Sequence, residues 1–487
     1  YKKAEGDEVF QLIENAAESS YVPKTDILGT TCYKCRAVNT VESISGEVYT
    51  AYKDSAEAKI TVKSLADYGA SWEGEGSEEK PYLMKTGEDL AVLSKLTALG
   101  ETFKDKYFLF ADDITLPESW TPIGSLKDGV SFNPVRTTAK DANIFSGNIN
   151  GGGHLLTVPK GSLSLLGACS GAYLSNLDIY GDEIAGCGVV EYYIQGTDIE
   201  INSVTLKSGT KTLKSGFIGG YAKGSDYVVI RNSVVEEGVI IGYDKSQSNI
   251  GSFGGDFNGL IENCKSGAKV FGVNFVGGIA GSKGQSMGQF IIRECDFSGE
   301  LEASGKYAGG IAGHGYGGTQ WGFANNAPWA TIQNCSVFGS IKAENYAGGI
   351  LGAEAGVSQC WENGTGYIQN NFFGGNIEIS ASGENAYMGA VCGYIKSIGR
   401  YTVISGNYYA ADCGAQKGIG SIAAVDSSEK YGIEGIKPGA DPKEFSDAAE
   451  SLTVAAEKLN SGLNSSGTWK YENGALIRGG EKHIIKI

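Results

Sequence analysis

Val276-Gly-Gly-Ile-Ala-Gly281, Ala308-Gly-Gly-Ile-Ala-Gly313 and Ala347-Gly-Gly-Ile-Leu-Gly352 are near-copies of one hexapeptide. A degenerate copy follows, Met388-Gly-Ala-Val-Cys-Gly393, and two more precede, Ser215-Gly-Phe-Ile-Gly-Gly220 and Ile250-Gly-Ser-Phe-Gly-Gly255. Self-similarity at a period of roughly 20–50 residues marks a solenoid or array, whose units stack on their neighbours. After these come second short runs: Ile230-Arg-Asn-Ser233, Ile261-Glu-Asn-Cys264, Ile292-Arg-Glu-Cys295, Ile332-Gln-Asn-Cys335 and Ile368-Gln-Asn-Asn371. A third follows, as in Val337-Phe-Gly-Ser-Ile341. Ile332 and Asn334 share one face of an extended chain, whereas Cys335, Val337, Gly339 and Ile341 share the other parity. Such a one-residue slip in a period of two demands a bend. Asn, which tolerates the left-handed region, sits at it. The pattern predicts three short strands per unit, joined by corners: one coil of a parallel β-helix. The hexapeptides recur every 26 to 41 residues, one coil plus variable loops. About ten coils at roughly 4.8 Å each would make a rod of about 50 Å.

The bulk numbers agree. A chain of 487 residues exceeds one ordinary core, but a solenoid grows in one dimension and escapes that limit. Gly is 73 of 487, roughly twice the usual share, and Pro is only 9. That balance points to tight corners and close backbone stacking. The net charge of -16 disfavours nucleic acid and anionic membrane surfaces as partners and suits a soluble, exposed bacterial surface protein. No run of about 18 apolar residues is present to span a membrane. No signal peptide is visible, and a chain opening on Tyr1 without Met reads as a mature or trimmed piece. The 10 Cys are scattered, with one C-x-x-C at Cys32 and Cys35, and have neither disulfide-scaffold nor zinc-ribbon spacing.

Residues 1–64 read as β-structure, with alternating runs such as Glu47-Val-Tyr-Thr-Ala-Tyr52 and Ala58-Lys-Ile-Thr-Val-Lys63. Asp26 followed by Tyr33-x-Cys35 resembles the strand E–F corner and strand F of an immunoglobulin-like domain, with Tyr1-Lys-Lys as the tail of strand C. Cys32 and Cys35 lie on opposite faces of such a strand, which disfavours a bond between them. Residues 65–80, rich in Gly, Glu and Ser, read as a linker. Thr86 and Asp89 then form a capping box before a stripe of Leu90, Leu93 and Leu96, read as an N-terminal helical cap. It precedes first coil strands over Tyr107–Leu116. At the other end, Asp441-Pro-Lys-Glu444 predicts a helix start, Phe445, Ala449, Leu452, Ala455 and Leu459 a stripe, and Trp469–Ile477 a final strand. The expected fold is all-β: a partial immunoglobulin-like β-sandwich (1–64), a linker (65–80) and a parallel β-helix with helical caps (81–487). Its N-terminal cap is 81–106, its coils 107–430 and its C-terminal cap 431–487.

These motifs resemble the GLUG-repeat family of surface proteins of Gram-positive gut and oral bacteria. The matching residues are the Gly-Gly-Ile-Ala-Gly hexapeptides, the Ile-x-Asn-Cys strands, Phe145-Ser-Gly-Asn-Ile-Asn-Gly-Gly-Gly-His154, the Pro81–Asp89 approach and the Trp120-Thr-Pro-Ile-Gly124 turn. The resemblance covers about 80–487 and is strongest over 270–410. It implies a right-handed parallel β-helix in a cell-wall-attached, adhesin-like protein, often beside immunoglobulin-like repeats. The family's repeats also occur in bacterial immunoglobulin A peptidases, which carry a separate zinc-protease domain.

Catalytic chemistry is hard to place. The three His, His154, His314 and His483, lie in no H-E-x-x-H. Gly313-His314-Gly315 is similar to a polygalacturonase motif, but that chemistry needs a carboxylate cluster on neighbouring coils, and Asp112-Asp113 lies far upstream. A lyase would need a Ca²⁺ site, and none stands out. Cys264, Cys295 and Cys335 read as a buried thiol column, extended by Ser233, Asn371 and Asn407. No catalytic residue, metal or cofactor is assigned. One feature rises above the repeat: loops after the Gly-Gly strand are enlarged on adjacent coils, over 314–329 and 353–366, with shorter ones over 282–289 and 394–400. They carry Tyr316, Trp321, Phe323, Trp329, Trp361 and Tyr394. Aromatic loop residues are common recognition anchors, although they can also pack on each other. The expectation is a non-catalytic extracellular adhesin-like protein, at the bacterial surface or secreted, that binds a host or environmental glycan or protein. The alternatives are a polysaccharide hydrolase or lyase, and a purely structural stalk.

Overall fold

The computed structural model describes residues 1–16, 18, 20–23, 28–133, 136–194, 196–220, 227–283, 289–315, 331–355, 366–381, 386–396, 402–410, 412–422, 443–445, 469–472 and 475–478. The chain divides into two compact units, Tyr1–Ser71 and Trp72–Ile487.

In the first unit, Gly29–Tyr33 is the middle strand of three, antiparallel to Lys2–Ala4 and to Ala58–Val62. Arg36–Glu42 and Val48–Asp54 form a separate antiparallel hairpin. Asp54 accepts hydrogen bonds from Lys34 Nζ at 2.6 Å and from Arg36 Nε at 2.6 Å and Nη2 at 2.8 Å. These contacts hold its carboxyl well below the usual carboxylate range, with Arg36 the larger cause. Cys32 is buried, Cys35 is exposed, and both are free. Asp26, the expected E–F corner, lies outside the described residues.

The second unit starts inside the stretch expected to be a linker. Trp72 packs on Tyr82 at 5.4 Å and on Phe108 at 5.8 Å, and a Cβ on Gly76 would meet the Tyr82 ring at 2.3 Å. Residues 72–80 therefore belong to the coil unit, because their one large apolar side chain is used there. Helix Gly87–Ala98 follows, its Thr86 hydroxyl accepting from Asp89 N and the Asp89 carboxylate accepting from Thr86 N. Leu90, Leu93 and Leu96 are its buried stripe, and Ser94 Oγ donates to Thr121 O at 2.7 Å.

Beyond it the chain forms stacked parallel sheets, a β-helix-like, all-β arrangement. One turn runs through Phe290–Arg293, Asp296–Phe297, Glu300–Ala303, Ala308–Gly309 and Ala312–His314. The next runs through Thr331–Gln333, Ser336–Val337, Ser340–Ala343, Tyr346–Gly348 and Leu351–Ala355, each strand parallel to its counterpart. A turn thus has five short strands where the sequence predicts three. The hexapeptide is the reason: it folds into two strands whose backbones touch. A Cβ on Gly309 would lie 1.9 Å from Ala312 O, and one on Gly313 would lie 2.6 Å from Phe275 C. The third predicted strand also breaks, at Gly339, where a Cβ would lie 2.2 Å from Gly299 O.

The interior repeats with the turns. Ile230, Ile261, Ile292, Ile332, Ile368 and Ile404 are all buried in register, at roughly 2 kcal/mol each. The chain then bends at Asn232, Asn263, Asn334 and Asn370, with φ of 51, 51, 54 and 60. Asn263 Nδ2 donates to Asn232 Oδ1 at 2.7 Å, and Asn370 Nδ2 to Asn334 Oδ1 at 2.6 Å, so the bends also bond to each other. Glu294 occupies the same bend at φ 55. Cys264, Cys295 and Cys335 follow as a buried column of thiols, none of them in a disulfide. Ser233 begins the column and Asn371 and Asn407 complete it, Asn371 Oδ1 accepting from Cys335 N at 2.9 Å and Asn407 Oδ1 from Asn371 N at 3.1 Å.

The C-terminal end departs from expectation. Lys443–Phe445, expected in the first turn of a helix, is a strand parallel to Tyr408–Ala410. Pairing with an open strand edge outweighs the capping signal there. The rest of the expected helix, 446–462, lies outside the described residues. Trp469–Ile477, expected as one strand, is a hairpin of Trp469–Glu472 with Ala475–Arg478.

Candidate functional site

Ala280–Lys283, Ala312–His314, Leu351–Ala355 and Cys392–Lys396 are consecutive neighbours in an eight-stranded parallel sheet. Each is followed by one of the enlarged intervals. The loops therefore leave one sheet at one end of its strands. Of the aromatic residues singled out, Tyr316, Trp321, Phe323, Trp329 and Trp361 lie outside the described residues. Tyr394 is described, half-buried, in the strand Cys392–Lys396.

Tyr394 leads to a feature that the sequence reading passed over. Its ring stacks on Tyr387, centroids 5.3 Å apart and planes 11° apart, and lies 5.6 Å from Tyr346. Tyr387 and Tyr346 belong to a column of half-buried rings that also includes Tyr307 and Phe275. The steps are 5.1 Å from Phe275 to Tyr307, 4.9 Å to Tyr346 and 5.5 Å to Tyr387. The first two pairs are nearly parallel, at 10° and 12°. The signal was present: an aromatic residue directly precedes each of the last four hexapeptides. The tight fold of the hexapeptide sets that residue beside the one that follows the hexapeptide.

That following residue forms a second column, Asp256, Ser282, His314, Ala353, Tyr394 and Ser421, aligned strand by strand. Ser282 Oγ donates to Asn249 Oδ1 at 3.0 Å and lies 3.3 Å from Asp256 Oδ1. Asp256, Ser282, Lys283 and His314 are all buried. Burial pushes the Asp256 carboxyl well above its usual range, against the opposing pull of Ser282 and Lys283. Burial likewise pushes the His314 imidazole down to about 3, so it is neutral at pH 7. Its ring meets the edges of Phe275 at 5.2 Å and Tyr307 at 5.0 Å. His314 is thus a packed neutral side chain beside the aromatic column. Burial also raises the Tyr307 and Tyr394 phenols, with neighbouring tyrosines adding to it.

Elsewhere, several titratable groups are paired. His154 Nδ1 lies 3.3 Å from Asp113 Oδ1, which also accepts from Leu155 N at 2.9 Å. Arg231 bridges Glu200 at 2.7 Å and Glu262 at 3.1 Å, and Arg293 meets Glu262 at 2.5 Å. Among the described residues no group of three or more His, Cys, Asp or Glu is arranged to hold a metal ion, and no helix is long and apolar enough to cross a membrane.

No family model matches the chain. A stretch of 282 residues, 58% of this chain, is 25% identical to halomucin of Haloquadratum walsbyi and spans 2% of that protein. The crystal structure of a candidate immunoglobulin A1 protease from Bacteroides ovatus aligns over 83% of this chain and 94% of its own, at 16% identity and a TM-score of 0.35.

Proposed function

We propose that this chain is part of a non-catalytic, extracellular, surface-associated bacterial protein of the GLUG-repeat type. It binds a host or environmental glycan or protein along the side of the coil stack from which the enlarged loops leave. The observation that carries this reading is the common origin of those loops on neighbouring strands of one sheet. Recognition residues gathered on loops over a rigid sheet are a recurrent design. The partial likeness to halomucin supports a place outside the cell. The antiparallel pairing of Lys2–Ala4 with Gly29–Tyr33 supports an immunoglobulin-like first unit. The test is a glycan and protein array probed with the wild-type chain and with a Trp321→Ala/Trp361→Ala variant. Wild-type binding that the variant loses, at an unchanged melting temperature, is the expected result. A lower melting temperature with binding intact would mean that the loop aromatics only pack. Release of reducing ends by the wild-type chain would favour a polysaccharide hydrolase or lyase instead.

A further inference from the structure

The aromatic column beside His314 has four physical properties that narrow what it meets. First, it is periodic. Its centroid steps of 5.1, 4.9 and 5.5 Å follow the coil rise, about 4.8 Å per turn. Second, its ring faces are covered. Phe275, Tyr307 and Tyr346 stack on one another almost in parallel, so their faces are taken up and contact with a ligand falls to ring edges and phenol hydroxyls. The described residues give the hydroxyls of Tyr307, Tyr346, Tyr387 and Tyr394 no hydrogen-bond partner, whereas the buried Tyr193 hydroxyl donates to Asn258 O at 3.0 Å. Third, Phe275 and Tyr307 hold left-handed backbone at φ 56 and 68. For bulky side chains that conformation costs roughly 1–3 kcal/mol each, and such strain gathers where a site over-determines it. Fourth, a net charge of -16 repels polyanions.

We propose that Phe275, Tyr307, Tyr346 and Tyr387 form a rail for a neutral, extended, β-linked polysaccharide lying along the stacking direction, its successive sugars hydrogen-bonded by the phenol hydroxyls. An extended β-1,4-linked glycan advances by one pyranose length per sugar, close to the coil rise of about 4.8 Å, with alternate sugars turned over, so each ring meets one sugar and the same sugar edge returns at every second ring. An extended peptide rises about 3.3 Å per residue, so its same-face side chains recur at about 6.6 Å and fall out of step within two rings. The inference rests on the binding reading above and names its ligand class.

The experiment measures binding of soluble β-1,4-linked glucose and xylose oligomers, about two to six sugars long, to the wild-type chain and to Tyr307→Phe/Tyr346→Phe/Tyr387→Phe. The triple variant keeps every ring and removes three hydroxyls, so its melting temperature is the control for folding. Affinity that climbs with oligomer length, and falls tenfold or more in the triple variant, is the expected result. Undiminished binding by the triple variant, or affinity independent of length, overturns the rail. If the array shows a different ligand and these oligomers do not bind, the rail fails and the binding reading stands. If the wild-type chain binds nothing on the array, both fail together.

Discussion

At the residue scale, His314 shows how burial overrules a motif. In the sequence Gly313-His314-Gly315 invites a catalytic comparison. In the structure the imidazole is buried against Phe275 and Tyr307, with its pKa pushed down to about 3. The unfolded chain titrates near 6.5, so it binds a proton that the folded chain refuses. The sign follows: the neutral His314 contributes its full stability above about pH 6.5, and that contribution is lost as pH falls towards 3. By pH 4 the loss is of the order of 3 kcal/mol. Asp256, two turns away in the same column, works in reverse. Its raised pKa gives stability that is complete below the unfolded carboxyl value and declines as pH rises. Melting curves from pH 8 to pH 4 should therefore show wild type losing stability steeply on the acid side, with His314→Gln losing less. Asp256→Asn should flatten the alkaline limb instead. Parallel curves for wild type and His314→Gln would show that the imidazole is not held neutral by its surroundings.

At the element scale, the glycines of the hexapeptide define the coil. Gly310 packs against the next turn, where an added Cβ would lie 2.2 Å from Gly349 O and 2.6 Å from Val337 Cγ1. Gly171 has φ +66 but nothing within 4 Å of the same atom. Gly171→Ala therefore carries only the backbone penalty, about 1 kcal/mol. Gly310→Ala must also displace backbone, for about 3 kcal/mol or more. Chemical denaturation should rank them in that order, and equal losses would mean that the turns can part to admit a methyl group. This contrast also explains what the sequence could and could not convey. Repetition gave the register of Ile230 to Ile368 and the Asn bends, because a period of two and a left-handed corner are local properties. It did not reveal that Gly309 touches the strand containing Ala312, since that approach is between elements. The same blind spot hid the column of Phe275, Tyr307, Tyr346 and Tyr387: each ring reads as an ordinary strand residue until the turns are stacked. Asn473-Gly474 was a legible hairpin signal that a final-strand reading passed over.

At the scale of the whole molecule, the unit boundary decides how the chain can be cut. Composition places a linker over 65–80, yet the second unit begins at Trp72. Trp72, Tyr82, Phe103, Phe108 and Phe145 form one chain of ring contacts over the first strands of the coil unit. Stacked turns depend on their immediate neighbours, so the exposed end of the first turn is where stability is most easily lost. The unit Tyr1–Ser71 is small, and its hairpin leaves Val38, Val41, Tyr49 and Tyr52 exposed. A short hairpin of that kind is marginal in water. Calorimetry of the full chain should show a weak early transition from the first unit and a main transition from the second. A chain starting at Trp72 should lose the early transition and keep the main one. A chain starting at Pro81, the boundary that composition suggests, should also lower the main transition. It removes the Trp72 indole from the rings of Tyr82, Phe103 and Phe108, a loss of about 2 kcal/mol for a partly buried aromatic. Coincident main transitions for the two truncated chains would show that residues 72–80 are a tether after all, and that the first strands need no cover.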